Sequence, residues 1–258
     1  MIGILYFFVI ILANSIGAVS GMGGGVIIKP VLDLIGAHSV ASISFYSTVA
    51  VFTMSISSTL KQLKSGQSFD VRTIFWISGG ALLGGILGNF SFERLLANLG
   101  SDNQVTMIQI LLTIVTLVFT FLYSRYERRS YTLEAPIFYF GCGLLLGFLA
   151  SLLGIGGGPI NVSVLMLLFG FPIKKATSYS ICTIFFSQLA KLISIAAGSG
   201  FLQYDLTMLY FIIPAAILGG IFGARLSQLL PSKKVAFIFQ SVILLVLGIN
   251  IFNFIQLL

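Results

Sequence analysis

Apolar stretches, most of them uncharged, recur from one end of this chain to the other, and they limit its fold more than any other feature. They fall at about 2–20, 24–36, 40–60, 73–92, 104–124, 135–153, 158–170, 175–197, 206–229 and 235–257. Most approach the roughly 20 residues a helix needs to cross about 30 Å of hydrocarbon. No water reaches that layer, so the backbone must satisfy its own N–H and C=O groups. Long uncharged runs without alternation do this as helices rather than barrel strands. Only 8% of the 258 residues are charged, against about 25% in soluble domains. The expected fold is an all-α polytopic membrane protein surrounded by membrane lipid.

The net charge of +7 does not describe a nucleic-acid surface, because most Lys and Arg residues lie in short connections between apolar runs. Cys142 and Cys182 sit inside such runs, so no disulfide framework is expected. The opening Met1-Ile2-Gly3-Ile4 has no basic region ahead of the apolar run, so no cleavable signal peptide is expected.

Two runs, 24–36 and 158–170, are too short to span, and each follows a glycine cluster. Gly21-Met22-Gly23-Gly24-Gly25 in the first half matches Gly154-Ile155-Gly156-Gly157-Gly158 in the second, 133 residues on. Phe69-Asp70-Val71 returns as Tyr204-Asp205-Leu206, and Leu83-Gly84-Gly85-Ile86-Leu87-Gly88 as Leu218-Gly219-Gly220-Ile221-Phe222-Gly223, both at 135. The chain therefore reads as a tandem repeat, 1–128 and 129–258, joined near Arg125–Glu134.

The basic residues suggest how the halves are oriented. With eight simple spans, six Lys/Arg in connections (61, 64, 72, 125, 128, 129) face five (94, 174, 175, 233, 234), which is no bias. If each glycine-broken pair instead returns to the face it entered, ten of these residues share one face and only Arg94 lies on the other. That is the positive-inside pattern. It implies two halves in inverted orientation, each with a re-entrant hairpin (1–36 and 135–170) and three spanning helices, an arrangement common among secondary transporters. Both termini would face outward.

The glycine clusters are the strongest local signal. Glycine permits the sharp reversal and close approach that a break inside a membrane requires. The half-helix that follows offers N–H groups and a positive dipole end, an anion site in outline. Gly23, Gly24, Gly25, Gly156, Gly157 and Gly158 are therefore candidate anion-binding residues, although small residues also serve helix packing alone. The hydroxyl-rich runs 40–60 and 175–197 supply Ser44, Ser178 and Ser180, which could donate to an oxyanion or merely bond between helices. Ser44 and Ser180, 136 residues apart, read as equivalents.

Lys29 has Asp33 at i+4, so it either attracts an anion or neutralises that carboxylate. Lys191 lies roughly 24 Å along a helix from Lys175 and is expected to snorkel to the outer surface. Arg225 reads as an anchor, Asp70 and Asp205 as N-caps, and the Leu-Gly-Gly-x-x-Gly pairs as close helix crossings. The single histidine, His38, sits in an exposed connection, so a Ser–His protease pair is not expected. No phosphate loop or metal-ligand cluster is visible, so neither enzyme nor cofactor is expected. An anion channel is the serious alternative to a carrier.

Ser20-Gly21-Met22-Gly23-Gly24-Gly25 with Pro30 and Leu32, repeated as Gly154-Ile155-Gly156-Gly157-Gly158-Pro159-Ile160 after Gly147, resembles the TauE/SafE family of sulfite exporters. The resemblance covers essentially the whole chain. It implies a permease of a bacterial or archaeal inner membrane that moves sulfite, sulfonates, thiosulfate or related sulfur anions outward. Ser163 stands in the second half where Pro30 stands in the first, which leaves the substrate open.

Overall fold

A computed structural model describes residues 2–65, 70–99, 101–126, 130–198 and 200–257. The repeat boundary at 128/129 and Phe69 of the second repeated motif lie outside the described residues. The described chain is helical: α1 (Ile2–Ser20), α2 (Gly25–Ile35), α3 (Val40–Lys64), α4 (Val71–Leu99), α5 (Asp102–Arg125), α6 (Pro136–Leu152), α7 (Pro159–Phe169), α8 (Ile173–Ala197), α9 (Leu209–Leu229) and α10 (Ser232–Leu257). A 3-10 turn, Leu206–Met208, leads into α9.

Among the described residues, seven segments are long and apolar enough to cross a membrane: α1, α3, α4, α5, α8, α10 and Leu206–Leu229. Length qualifies α1, at 19 residues, where a hairpin arm was expected, while its counterpart α6 has only 17. Large apolar side chains such as Phe8, Phe75, Phe90, Phe222 and Phe237 point outward, a surface suited to lipid. Polar side chains, among them Asn14, Ser47, Thr48, Asn161, Ser180 and Gln188, are buried inside.

Helix ends follow local chemistry. Pro136 and Pro159 open α6 and α7, where a missing N–H costs nothing. Gly36 and Gly170 close α2 and α7 in the left-handed conformation and return their N–H groups to Leu32 and Met166. Asp70 caps α4 by accepting from the Thr73 hydroxyl and from the N–H groups of Thr73 (3.2 Å) and Arg72 (3.3 Å). Asp205 accepts from Thr207 N at 2.9 Å and Thr207 Oγ1 at 2.6 Å. Both sequence-expected caps are therefore formed.

Those bonds, led by the Thr73 hydroxyl, hold the Asp70 carboxyl below its ordinary 3.8. A carboxyl depressed on folding contributes fully above its unfolded pKa and loses that contribution as pH falls through the folded value. Asp70→Ala should thus lower stability by about 1 kcal/mol at neutral pH. The gap to wild type should begin to narrow below about pH 4 and close only beneath the folded value, and thermal unfolding in detergent across pH measures it.

In each half the chain doubles back at its glycine cluster. The far ends of α1 and α2 meet: Tyr6 Oη and His38 Nδ1 share a 2.9 Å hydrogen bond, and His38 sits edge-on to Tyr46. His38 is therefore half-buried against α1 and α3, not in an exposed connection as expected. The far ends of α6 and α7 meet likewise. Tyr139 lies 4.4 Å from Phe169 between ring centres, and the Tyr131 and Leu133 N–H groups reach the Leu167 and Leu168 carbonyls.

Packing follows the repeat. The α4 helix packs on α6 and α8, as α9 packs on α1 and α3; α5 meets α7 as α10 meets α2. Glycines set the tightest crossing. Cβ atoms on Gly80, Gly84 and Gly88 would lie 2.0, 2.1 and 2.3 Å from the Phe140, Leu144 and Phe148 carbonyl oxygens. Across the other crossing, Cβ atoms on Gly219 and Gly223 would come within 2.9 and 2.3 Å of the Ile11 and Ser15 carbonyl oxygens. The repeated Leu-Gly-Gly-x-x-Gly motif is a backbone-to-backbone contact.

Candidate functional site

The two glycine turns are buried at the centre, back to back. Gly21 and Gly23 adopt φ of 73° and 74°, and Gly154, Gly156 and Gly157 adopt 67°, 66° and 124°, conformations that turn the chain where a side chain would resist. Gly24 and Gly158 then lead into α2 and α7. A Cβ on Gly25 would lie 1.9 Å from the Ile155 carbonyl oxygen, and one on Gly23 would lie 3.6 Å from that of Gly156. The six candidate glycines, Gly23 to Gly25 and Gly156 to Gly158, thus belong to one locus built by both halves.

That locus is less rich in donors than a pair of open helix ends. The Ile155 carbonyl faces Gly25, and Pro159 brings no N–H to the start of α7. What surrounds it are polar side chains with unused capacity. Asn14 donates to the Ala50 carbonyl at 3.3 Å, but its Oδ1, pressed against Gly24, has no partner. Ser47 Oγ beside Gly25, Ser151 Oγ, and both amide atoms of Asn161 beside Gly157 are likewise buried without partners. Native interiors rarely leave such atoms unpaired.

Ser44 and Ser180 both reach the turns. Ser180 donates to the Gly21 carbonyl at 2.6 Å. Ser44 Oγ lies 2.7 Å from where a Gly154 Cβ would be. They are not each other's equivalents, however. α3 and α8 start 133 residues apart, and contacts pair at that spacing. Gly21 abuts Thr177 as Gly154 abuts Ser44, and Tyr46 bonds Asp205 as Tyr179 bonds Asp70. Ser44 thus corresponds to Thr177, and Ser180 to Ser47. Ser178 donates to the Lys174 carbonyl of its own helix at 3.1 Å.

Lys29 is buried and paired with Asp33 at 2.8 Å, and its Cε packs 3.4 Å from the Gly154 Cβ position. Lys191 does not snorkel. It is 1% exposed, and its Nζ donates to Ser44 Oγ at 2.7 Å and to the Ser151 carbonyl at 2.9 Å. The expectation failed because it counted distance along one helix, whereas Phe92 of α4 lies over the ammonium, 5.0 Å from ring centre to Nζ. Arg225 is exposed near the end of α9, as an anchor would be.

Asn14, Ser47, Ser151 and Asn161 were not singled out from sequence. The available signal was weak: an amide inside an otherwise uncharged run, as at Asn14 and Asn161. Among the described residues, no three His, Cys, Asp or Glu side chains gather as metal ligands.

Membrane-length helices around two buried, polar-lined glycine turns define a polytopic helical membrane protein of transporter type. The family model for Sulfite exporter TauE/SafE matches residues 6–251, and the chain belongs to that family of membrane transporters. It is 28% identical to the probable membrane transporter protein YunE of Bacillus subtilis, over 92% of each chain. It is 23% identical to the probable membrane transporter protein MJ0441 of Methanocaldococcus jannaschii, over 90% of this chain and 89% of that one. Over 100 aligned positions, covering 37% of this chain and 22% of the other, it is 31% identical to Sulfite exporter TauE/SafE family protein 5 of Arabidopsis thaliana. No solved structure matches.

Proposed function

We propose that this chain is a secondary transporter that exports small sulfur-containing oxyanions, such as sulfite, sulfonates or thiosulfate, across a bacterial or archaeal inner membrane. The anion sits near the midplane between the two glycine turns. The observation that carries this reading is the meeting of the turns, one from each half, among buried polar atoms without partners. Family membership supports the substrate class.

In this reading the halves are inverted repeats with re-entrant hairpins. The paired ends of α1 with α2 and of α6 with α7, the matched packing and the one-sided distribution of Lys and Arg favour it. Inverted halves rock to expose the anion alternately. Tags at either terminus should be accessible only from outside intact cells, and a cytoplasmic tag would overturn the inverted arrangement. The chain acts without enzymatic chemistry.

Efflux of labelled sulfite from proteoliposomes, competed with thiosulfate, sulfoacetate and sulfate, tests the function. Saturable efflux above empty liposomes is expected, and the competition order ranks the substrates. Flux that does not saturate would favour an anion channel of the same architecture, and no flux of any of these anions would remove the substrate class.

A further inference from the structure

We propose that Lys191 is the charged floor of an anion subsite, entered through the cavity between α3, α4 and α8, where it holds a small oxyanion. The inference rests on the transporter reading, taking the anion as cargo, but locates the binding charge on a residue outside both glycine turns.

Four observations converge. Lys191 is buried, yet the only ion pair among the described residues is Lys29–Asp33, so no carboxylate lies within 4.0 Å of its ammonium. An ammonium in that setting must lose its proton or acquire a counter-anion. Its hydrogen bonds to Ser44 Oγ and the Ser151 carbonyl occupy two of three donors, leaving one N–H. Ser44, having accepted from Lys191, keeps its own O–H to donate. Third, a cavity of about 330 Å³ adjoins Lys191, which lines it together with Ser44, Asn89, Phe92, Glu93 and Tyr204. Fourth, Ser44 and Ser151 join the ammonium to the second glycine turn, next to Gly154.

The charged groups acting on Lys191 are few. Lys29 of α2 repels it but is held by Asp33, and Glu93 of α4 attracts it from the cavity wall. Glu93 accepts from Asn89 Nδ2 at 2.9 Å. It is the fixed negative charge an entering anion must tolerate, so it opposes binding while Lys191 favours it. Such a site takes an anion small enough to share one N–H and one O–H donor.

The test titrates the purified protein in detergent with sulfite, thiosulfate, sulfate, chloride and nitrate, reading heat of binding against a gluconate background. Lys191→Gln should weaken binding by at least about tenfold, Lys191→Arg should retain part of it, and Glu93→Gln should strengthen it severalfold. Lys191→Gln should keep or raise the thermal unfolding temperature, since a neutral amide replaces a lone buried charge. Equal affinity in wild type and Lys191→Gln would overturn the subsite and leave the sulfur-anion reading standing. Binding of chloride or nitrate alone, lost in Lys191→Gln, would support the subsite and remove the sulfur-anion reading. No binding of any probe by wild type would overturn the subsite. Should Lys191→Gln not fold, unchanged affinity in Glu93→Gln overturns it instead.

Discussion

Replacing Gly24 or Gly157 with leucine should abolish anion efflux while the protein still reaches the membrane. The two positions fail for different reasons. Gly157 has φ of 124°, which a leucine backbone rarely adopts, and its Cβ would lie 2.6 Å from Ile184 Cγ1. Gly24 has φ of −68°, so its backbone would accept a side chain. There the obstacle is space, since a Cβ would lie 1.8 Å from Asn14 Oδ1 and 2.9 Å from Asn14 Cα. Both changes act at the turns: Gly157 presses on Ile184 of α8, and Gly24 on Asn14, whose Cβ in turn faces Gly219 of α9. Gly141→Leu is the control, because nothing lies within 4 Å of a Cβ there. Efflux from proteoliposomes should fall to background in the first two variants and persist in the third. Retained efflux in both glycine variants would remove the turns from the transport pathway.

Gly84→Leu has the largest expected effect on stability. A Cβ at Gly84 would stand 2.1 Å from the Leu144 carbonyl oxygen, with Gly80 and Gly88 equally close to the same helix one turn away on either side. The obstructing atoms are backbone, so relief requires α4 and α6 to separate along their length. Overpacking a well-filled site costs about 1–3 kcal/mol, occasionally more, and here separation would also forfeit the close contacts that drive association in lipid. We expect little folded protein by size exclusion and a large drop in unfolding temperature compared with Gly141→Leu. An unchanged unfolding temperature would show that the crossing contributes little.

Much of this architecture can be read from the residues. Apolar run length placed the helices, and the doubled glycine cluster marked both reversals because few other residues turn a chain so tightly inside a membrane. Asp70 and Asp205 were legible as caps because capping depends on neighbours in sequence. Lys191 was not legible, since its burial depends on Phe92 and Ser151, distant in the chain. The pairing of Ser44 with Thr177 rather than Ser180 was obscured for a related reason. Serines are frequent in both hydroxyl-rich helices, so several alignments fit, and the contacts at Gly21, Gly154, Asp70 and Asp205 select one. Isolated amides such as Asn161 carry no periodicity at all.

The cross-packing of α1 on α9 and of α6 on α4 has a consequence for how the molecule divides. Each half packs on the first helix of the other, like two hands clasped at the fingers, so neither half encloses its own interior. Severing the chain within 127–129 should leave the fragments bound to each other through the membrane. Any rocking of one half against the other must therefore slide α1 along α9 and α6 along α4, the closest contacts between the two ends of the chain.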